Sequence, residues 1–200
     1  MLEGPLVFVD IDTQRDFLDP SGALYVSGSR QILPNLERLT RFAQTHRIPI
    51  LATACAHSAD DPELTRFPPH CMAGTEGQSR VSETSVANSM VLGPGERLTG
   101  ELPSHMTLNK QEFDVFSRPD AGELVARYNQ SGPTFVVYGV ATDYCVRAAV
   151  EGLLARHCHV AIVADAVRAI DPAHEAELMT DWVRRGVLLT MTEPACRSPS

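Results

Sequence analysis

Apolar and polar positions along this chain switch between two periods, and the switching predicts strands separated by helices. Continuous apolar runs of strand length occupy residues 5–11 (PLVFVDI), 48–54 (IPILATA), 106–109 (MTLN), 134–138 (TFVVY), 159–164 (HVAIVA) and 187–192 (VLLTMT). Helical spacing places Ile32, Leu33, Leu36, Leu39, Phe42 and Ala43 on one face of a helix from about Gln31 to Thr45, with Ser29 as its N-cap. A second helix covers residues 121–128, and a third carries Val146, Ala149, Val150, Leu153 and Leu154. A fourth opens at Asp171-Pro172 and ends at Arg185, before Gly186. The tail EPACRSPS is expected to fray.

Strand, short turn, helix and strand from Pro133 to Val167 form a βαβ unit, whose strands pair in parallel through a right-handed crossover. Six strands alternating with helices predict an α/β fold, a three-layer αβα sandwich around a six-stranded parallel sheet. The preferred strand order is 3-2-1-4-5-6, which sets strands 1 and 4 side by side at the switch point where such sheets bind ligands. Only residues 55–105 break the rhythm. They are rich in proline and glycine and show little periodicity beyond a hairpin signal at residues 90–95. A loop this long in a compact domain is usually functional.

Composition narrows the function classes. Two hundred residues at 44% apolar suit one domain over residues 1–200. A formal charge of −8 with no basic run argues against nucleic acid or a membrane surface as partner. No apolar stretch reaches transmembrane length, and the first ten residues lack a charged n-region and cleavage site, so a cytoplasmic protein is expected. The five cysteines, Cys55, Cys71, Cys145, Cys158 and Cys196, are odd in number and unrelated in spacing, unlike a secreted disulfide framework. Neither GxGxxG nor GxxxxGK[ST] occurs, so no organic cofactor is implied. Of the 17 basic residues only Lys110 is a lysine, and lysine, unlike arginine, can trade protons.

Three expected strand ends each carry one reactive side chain: Asp12, Lys110 and Cys145. Cys145 lies where a helix begins, and unpaired N–H groups there favour a thiolate and can hold an oxyanion. Taken alone, Cys145 fits a buried structural cysteine as well as a nucleophile. Lys110 would favour the thiolate, and Asp12 could take the thiol proton and pass it to a leaving amine. A non-hydrolytic reactive thiol is a further reading. It lacks a resolving partner in sequence, since Cys158 falls near the opposite end of the helix.

The motifs Asp12-Thr13-Gln14-Arg15-Asp16-Phe17, the strand-ending Lys110, and Gly139-Val140-Ala141-Thr142-Asp143-Tyr144-Cys145-Val146 resemble the isochorismatase-like cysteine hydrolases, which include the nicotinamidases. The resemblance covers nearly the whole chain. It implies a triad of Asp12, Lys110 and Cys145, an oxyanion hole from the N–H groups of Ala141 and Cys145, and a cis peptide between Val140 and Ala141. It also implies homo-oligomerisation. Within the VDID run it selects Asp12 as the acid, leaves Asp10 one step deeper, and makes Asp16 a structural hydrogen-bonding residue.

In nicotinamidases an Asp-x-His pair and a later histidine before a cysteine bind a divalent metal. Here those positions read Cys55-Ala56-His57 and His70-Cys71, so both histidines are present and cysteine replaces aspartate. Cys55, His57 and His70 make a credible zinc set, because thiolate favours zinc over harder cations. Cys55 equally fits a small apolar residue at a strand end, with the histidines lining a pocket. Phe17, Phe113, Phe116 and Tyr144 could wall a flat pocket, although core packing explains the phenylalanines as well. The expected activity is hydrolysis of a small carboxamide, nicotinamide first, through a thioester. Ureido or carbamoyl compounds and isochorismate are the alternatives within the family.

Overall fold

The computed structural model describes residue 2 and residues 4–197. Its elements are β1 (Leu6–Ile11), α1 (Arg15–Leu18), α2 (Leu33–His46), β2 (Ile50–Cys55), β3 (Met90–Leu92), β4 (His105–Lys110), α3 (Ala121–Tyr128), β5 (Thr134–Val140), α4 (Arg147–Leu154), β6 (His159–Arg168), α5 (Pro172–Arg184), β7 (Leu188–Thr190) and α6 (Thr192–Ala195). The strands form one sheet in the order β3-β4-β2-β1-β5-β6-β7, every pairing parallel.

The sheet has seven strands rather than the six expected. Without β3, its order is the one read from the sequence. The correction lies at residues 90–95, where a hairpin is replaced by a short edge strand paired in parallel with residues 106–108. Gly93 does open a local turn, with Glu96 N donating to Gly93 O at 3.1 Å. Instead of returning at once, the chain is gathered by Arg118, which donates to the carbonyls of Gly93 at 2.8 Å, Glu96 at 2.7 Å and, in β4, Asn109 at 2.6 Å. Entry into β4 then comes only at His105, and that distance permits a parallel crossover.

Period-2 alternation divides the core between the two faces. Val7, Val9, Ile11, Phe135 and Val137 pack with Leu124, Val150, Leu153 and Trp182 beneath α3, α4 and α5. Phe8, Val136 and Tyr138 pack with Leu36, Leu39 and Ala195 beneath α2 and α6. This is the three-layer sandwich. Burial of this kind contributes roughly 1.5–3 kcal/mol per large side chain. Among the described residues, no helix is long and apolar enough to cross a membrane.

Three boundaries differ from the expectations. Ser29 does not cap α2; its hydroxyl donates to Phe17 O at 2.9 Å, and a 3₁₀ turn over Ser29–Ile32 leads into the helix. The tail forms α6 because Asp165 accepts from both the N–H and the hydroxyl of Thr192, at 2.7 and 2.8 Å; residues 198–200 of that tail lie outside the described residues. β5 runs on to Val140 because Gly139 adopts φ +117° and passes so close to β1 that a Cβ there would sit 2.1 Å from Ile11 O. Only glycine lets the two strands stay paired to their ends.

Candidate active site

The polar loop after β1 is a set of anchors. Asp12 turns the chain out of the strand with φ +48°. Gln14, fully buried, clamps the Cys55 backbone from both sides: its Oε1 accepts from Cys55 N at 2.7 Å and its Nε2 donates to Cys55 O at 2.8 Å. Asp16 accepts from Cys71 N at 2.6 Å and Ala23 N at 3.0 Å, a structural role. Asp10 is held by Arg80 at 2.5 Å and Thr13 at 2.8 Å. The DTQRDF motif therefore fixes where the loops following β1 and β2 lie.

Because β1 sits between β2 and β5, the carboxyl ends of β1, β4 and β5 reach one rim of the sheet. Cys55 is the register partner of Lys110, so the lysine must extend across β2 to reach β1. It does so: Lys110 Nζ lies 2.8 Å from Asp12 Oδ2, 3.2 Å from Cys55 Sγ and 3.5 Å from Cys145 Sγ. The Thr53 hydroxyl donates to the other Asp12 oxygen at 2.6 Å. The sequence-expected trio thus meets in a buried cluster, together with an additional thiol.

Charge in this cluster follows from burial and neighbours. Burial opposes the Lys110 ammonium, but Asp12 and the two sulfurs outweigh it and hold its pKa well above the ordinary range. Burial, then the charge on Cys55, raise Asp12 above its ordinary value despite Lys110. The two cysteines, whose sulfurs lie within 4.8 Å of each other, shift in opposite directions. The neighbouring Cys145 thiol, then the charge on Lys110, draw Cys55 well below the usual thiol range against its burial. The same contact and burial push Cys145 up.

The turn carrying Cys145 contains a cis peptide between Val140 and Ala141. Thr142–Val146 then form one π-helical turn before α4, and Ala141 O accepts from Tyr144 N and Val146 N, each at 3.1 Å. Asp143 accepts from the N–H groups of Ile170 and Asp171, both at 3.0 Å, and Thr142 donates to Glu175 at 2.8 Å. These bonds tie the turn to the segment leading into α5.

Cys55, His57 and His70 are buried, and their ligand atoms lie within 4.8 Å of one another. His57 Nδ1 is paired with Asp61 Oδ2 at 2.9 Å, and His70 Nδ1 with Pro68 O at 2.8 Å. His57 Nε2 is buried without a hydrogen-bond partner among the described residues. Anchored Nδ1 atoms, with Nε2 left for the Cys55 side, are the arrangement of metal-binding histidines. The residues therefore fit a divalent metal, and the thiolate suits zinc. Asp12, Cys55 and Cys145 are equally close together, but the Lys110 ammonium already occupies their centre and opposes a cation.

The Isochorismatase domain model matches residues 6–194. The chain belongs to the isochorismatase family. Solved structures share the fold: a nicotinamidase of Bacillus subtilis superposes with a TM-score of 0.79 at 22% identity, covering 94% of this chain and 99% of that one. A pyrazinamidase of Pyrococcus horikoshii, solved in complex with zinc, gives 0.75 at 24% identity over 94% and 99%. A protein of Arabidopsis thaliana described as a probable inactive nicotinamidase is 24% identical over 88% of this chain and 87% of its own.

On this isochorismatase-family scaffold, aromatic rings gather beside the histidines. Phe17 lies 5.4 Å from His70, Phe67 lies 6.2 Å from His70 and 5.6 Å from Tyr144, and Phe113 lies 6.5 Å from Tyr144, all between ring centroids. Phe116 is not among them. It packs on the core beneath α4, against Gly152 with the Arg156 guanidinium 3.8 Å from its ring centroid. Phe67 takes the place expected for Phe116; as the only aromatic ring between the two histidines, it was the available signal. Thr53, Gln14 and Asp61 were also missed. A buried threonine within an otherwise apolar strand was the clue for the first. A separate cavity of about 460 Å³, lined by Ile50, Arg80, His105 and Asn109 among others, contains none of Asp12, Lys110 and Cys145. Chemistry rather than cavity size therefore locates the site.

Proposed function

We propose that this isochorismatase-family protein is an amidohydrolase with a cysteine nucleophile, acting on a small carboxamide, with nicotinamide the leading substrate. The observation that carries the reading is the buried contact of Lys110 with Asp12 at 2.8 Å and with Cys145 at 3.5 Å. Asp12, its pKa already raised, takes the Cys145 proton as sulfur attacks the amide carbon. The N–H groups of Ala141 and Cys145 receive the oxyanion. Asp12 returns the proton to the departing ammonia, and water, deprotonated by the same carboxylate, hydrolyses the thioester. Lys110 stays charged throughout and balances the negative charge.

Cys55, His57 and His70 would hold the metal, which when bound supplies a Lewis-acidic anchor for a ring nitrogen or a water. Asp61 orients His57 from outside that set. Asp61→Ala is expected to weaken zinc binding about 10–100-fold, read by competition with a chromophoric chelator. Unchanged affinity would remove His57 from the ligand set.

The test of the reading is ammonia release from nicotinamide, pyrazinamide, aliphatic amides and a carbamoyl compound. Turnover of the ring carboxamides ahead of the others is the expected result. Preference for the carbamoyl compound would reassign the substrate class. Release from none of them would align this chain with the inactivity described for the Arabidopsis relative.

A further inference from the structure

Cys55 has a property that the amide chemistry does not use. It is a second thiol facing the nucleophile: the Cys55 and Cys145 sulfurs lie within 4.8 Å of each other, and Lys110 Nζ donates to both, at 3.2 and 3.5 Å. Cys158 cannot reach Cys145 from the far end of α4, so Cys55, at the end of β2 on the same rim of the sheet, is the candidate resolving thiol. A disulfide needs the sulfurs at about 2.05 Å, so the two side chains and the strand-end backbone that carries them must close on each other.

We infer that Cys145 and Cys55 are an oxidative modification site: hydrogen peroxide converts them to a reversible intramolecular disulfide that silences the nucleophile. Cys145, 8% exposed against 1% for Cys55, meets the oxidant first. Its proton passes to Asp12 and its sulfur attacks a peroxide oxygen. The O–O bond breaks, a sulfenic acid forms and the other oxygen leaves as water. Cys55 then attacks the Cys145 sulfur, the S–O bond breaks, and the second water departs with a proton from the cluster. In sum, two thiols and one peroxide give one disulfide and two waters; the sulfurs are oxidised and the peroxide reduced. A resolving thiol this close diverts the sulfenic acid from irreversible sulfinic acid. A dithiol reductant restores both thiols.

Hydrogen peroxide titration of the purified protein, as isolated and after chelator treatment, tests this by intact mass and tryptic mapping. Neither readout needs a substrate, so failure here is distinct from failure of the amidohydrolase reading. Cleavage after Arg66 separates Cys55 from Cys71, and Cys145 falls in the peptide ending at Arg147, so each pairing is distinguishable. The expected product has lost two hydrogens, links the Cys55 and Cys145 peptides in at least one of the two states, and returns to thiols with dithiothreitol. In Cys55→Ser, Cys145 should instead gain oxygen that dithiothreitol does not remove. Oxygen added at Cys145 of the wild-type protein while Cys55 stays alkylatable, or a Cys55–Cys71 link in place of Cys55–Cys145, would overturn the inference. The wild-type map decides the matter even if Cys55→Ser fails to fold.

Discussion

Cys145→Ala is expected to lower ammonia release on the order of 10⁶-fold, the scale of deleting a nucleophile, while the protein stays folded. The two halves of this outcome have separate causes. Of the two sulfurs in the cluster, that of Cys145 belongs to the turn whose N–H groups would hold the oxyanion, so the variant keeps binding and oxyanion stabilisation but loses the covalent path. Stability should change by only about 1 kcal/mol, because Lys110 retains Asp12 at 2.8 Å and Cys55 at 3.2 Å and no buried charge is stranded. A rapid-quench assay should show no acyl-enzyme burst, and the urea midpoint should remain near that of wild type. Turnover within about 100-fold of wild type would dismiss the covalent mechanism.

Lys110→Met should damage both activity and stability. The lysine is 1% exposed and is the counter-charge for Asp12, which is itself fully buried. Removing one member of a buried ion pair costs about 3–5 kcal/mol, because the other is left uncompensated. The sign with pH follows from Asp12. Its folded pKa already lies above the ordinary 3.8, through burial first and then the Cys55 charge, and losing the ammonium raises it further. A carboxyl raised in this way is no burden below its unfolded pKa and destabilises increasingly as pH rises through the folded value. The stability deficit of Lys110→Met should therefore be small in acid and largest near neutrality, as read from urea midpoints across pH. A deficit independent of pH would mean that Asp12 is not the group left uncompensated. Activity should fall with it, because the thiol pair loses the cation that stabilises its negative charge.

Strand order was legible because apolar runs separated by helices leave few parallel topologies, and right-handed crossovers select among them. β3 was not: three residues with an exposed start carry no periodicity, and their pairing with Met106–Leu108 depends on how Arg118 gathers the preceding loop. Asp12, Lys110 and Cys145 could be singled out because each stands at a strand end, and one of them is the sole lysine. The depth of Cys55 could not. A residue expected at a metal position also touches the lysine and the nucleophile only because β2 and β4 pair with Cys55 opposite Lys110. Phe116 and Phe67 show a similar limit, since loop spacing does not say which way a ring faces.

Arginine supplies every other basic side chain, so the single ε-amine of this sequence is sealed under a carboxylate and two sulfurs. Acylating reagents meet no lysine on the folded surface, and any molecule that does become labelled at Lys110 is one in which the rim of the sheet had come open.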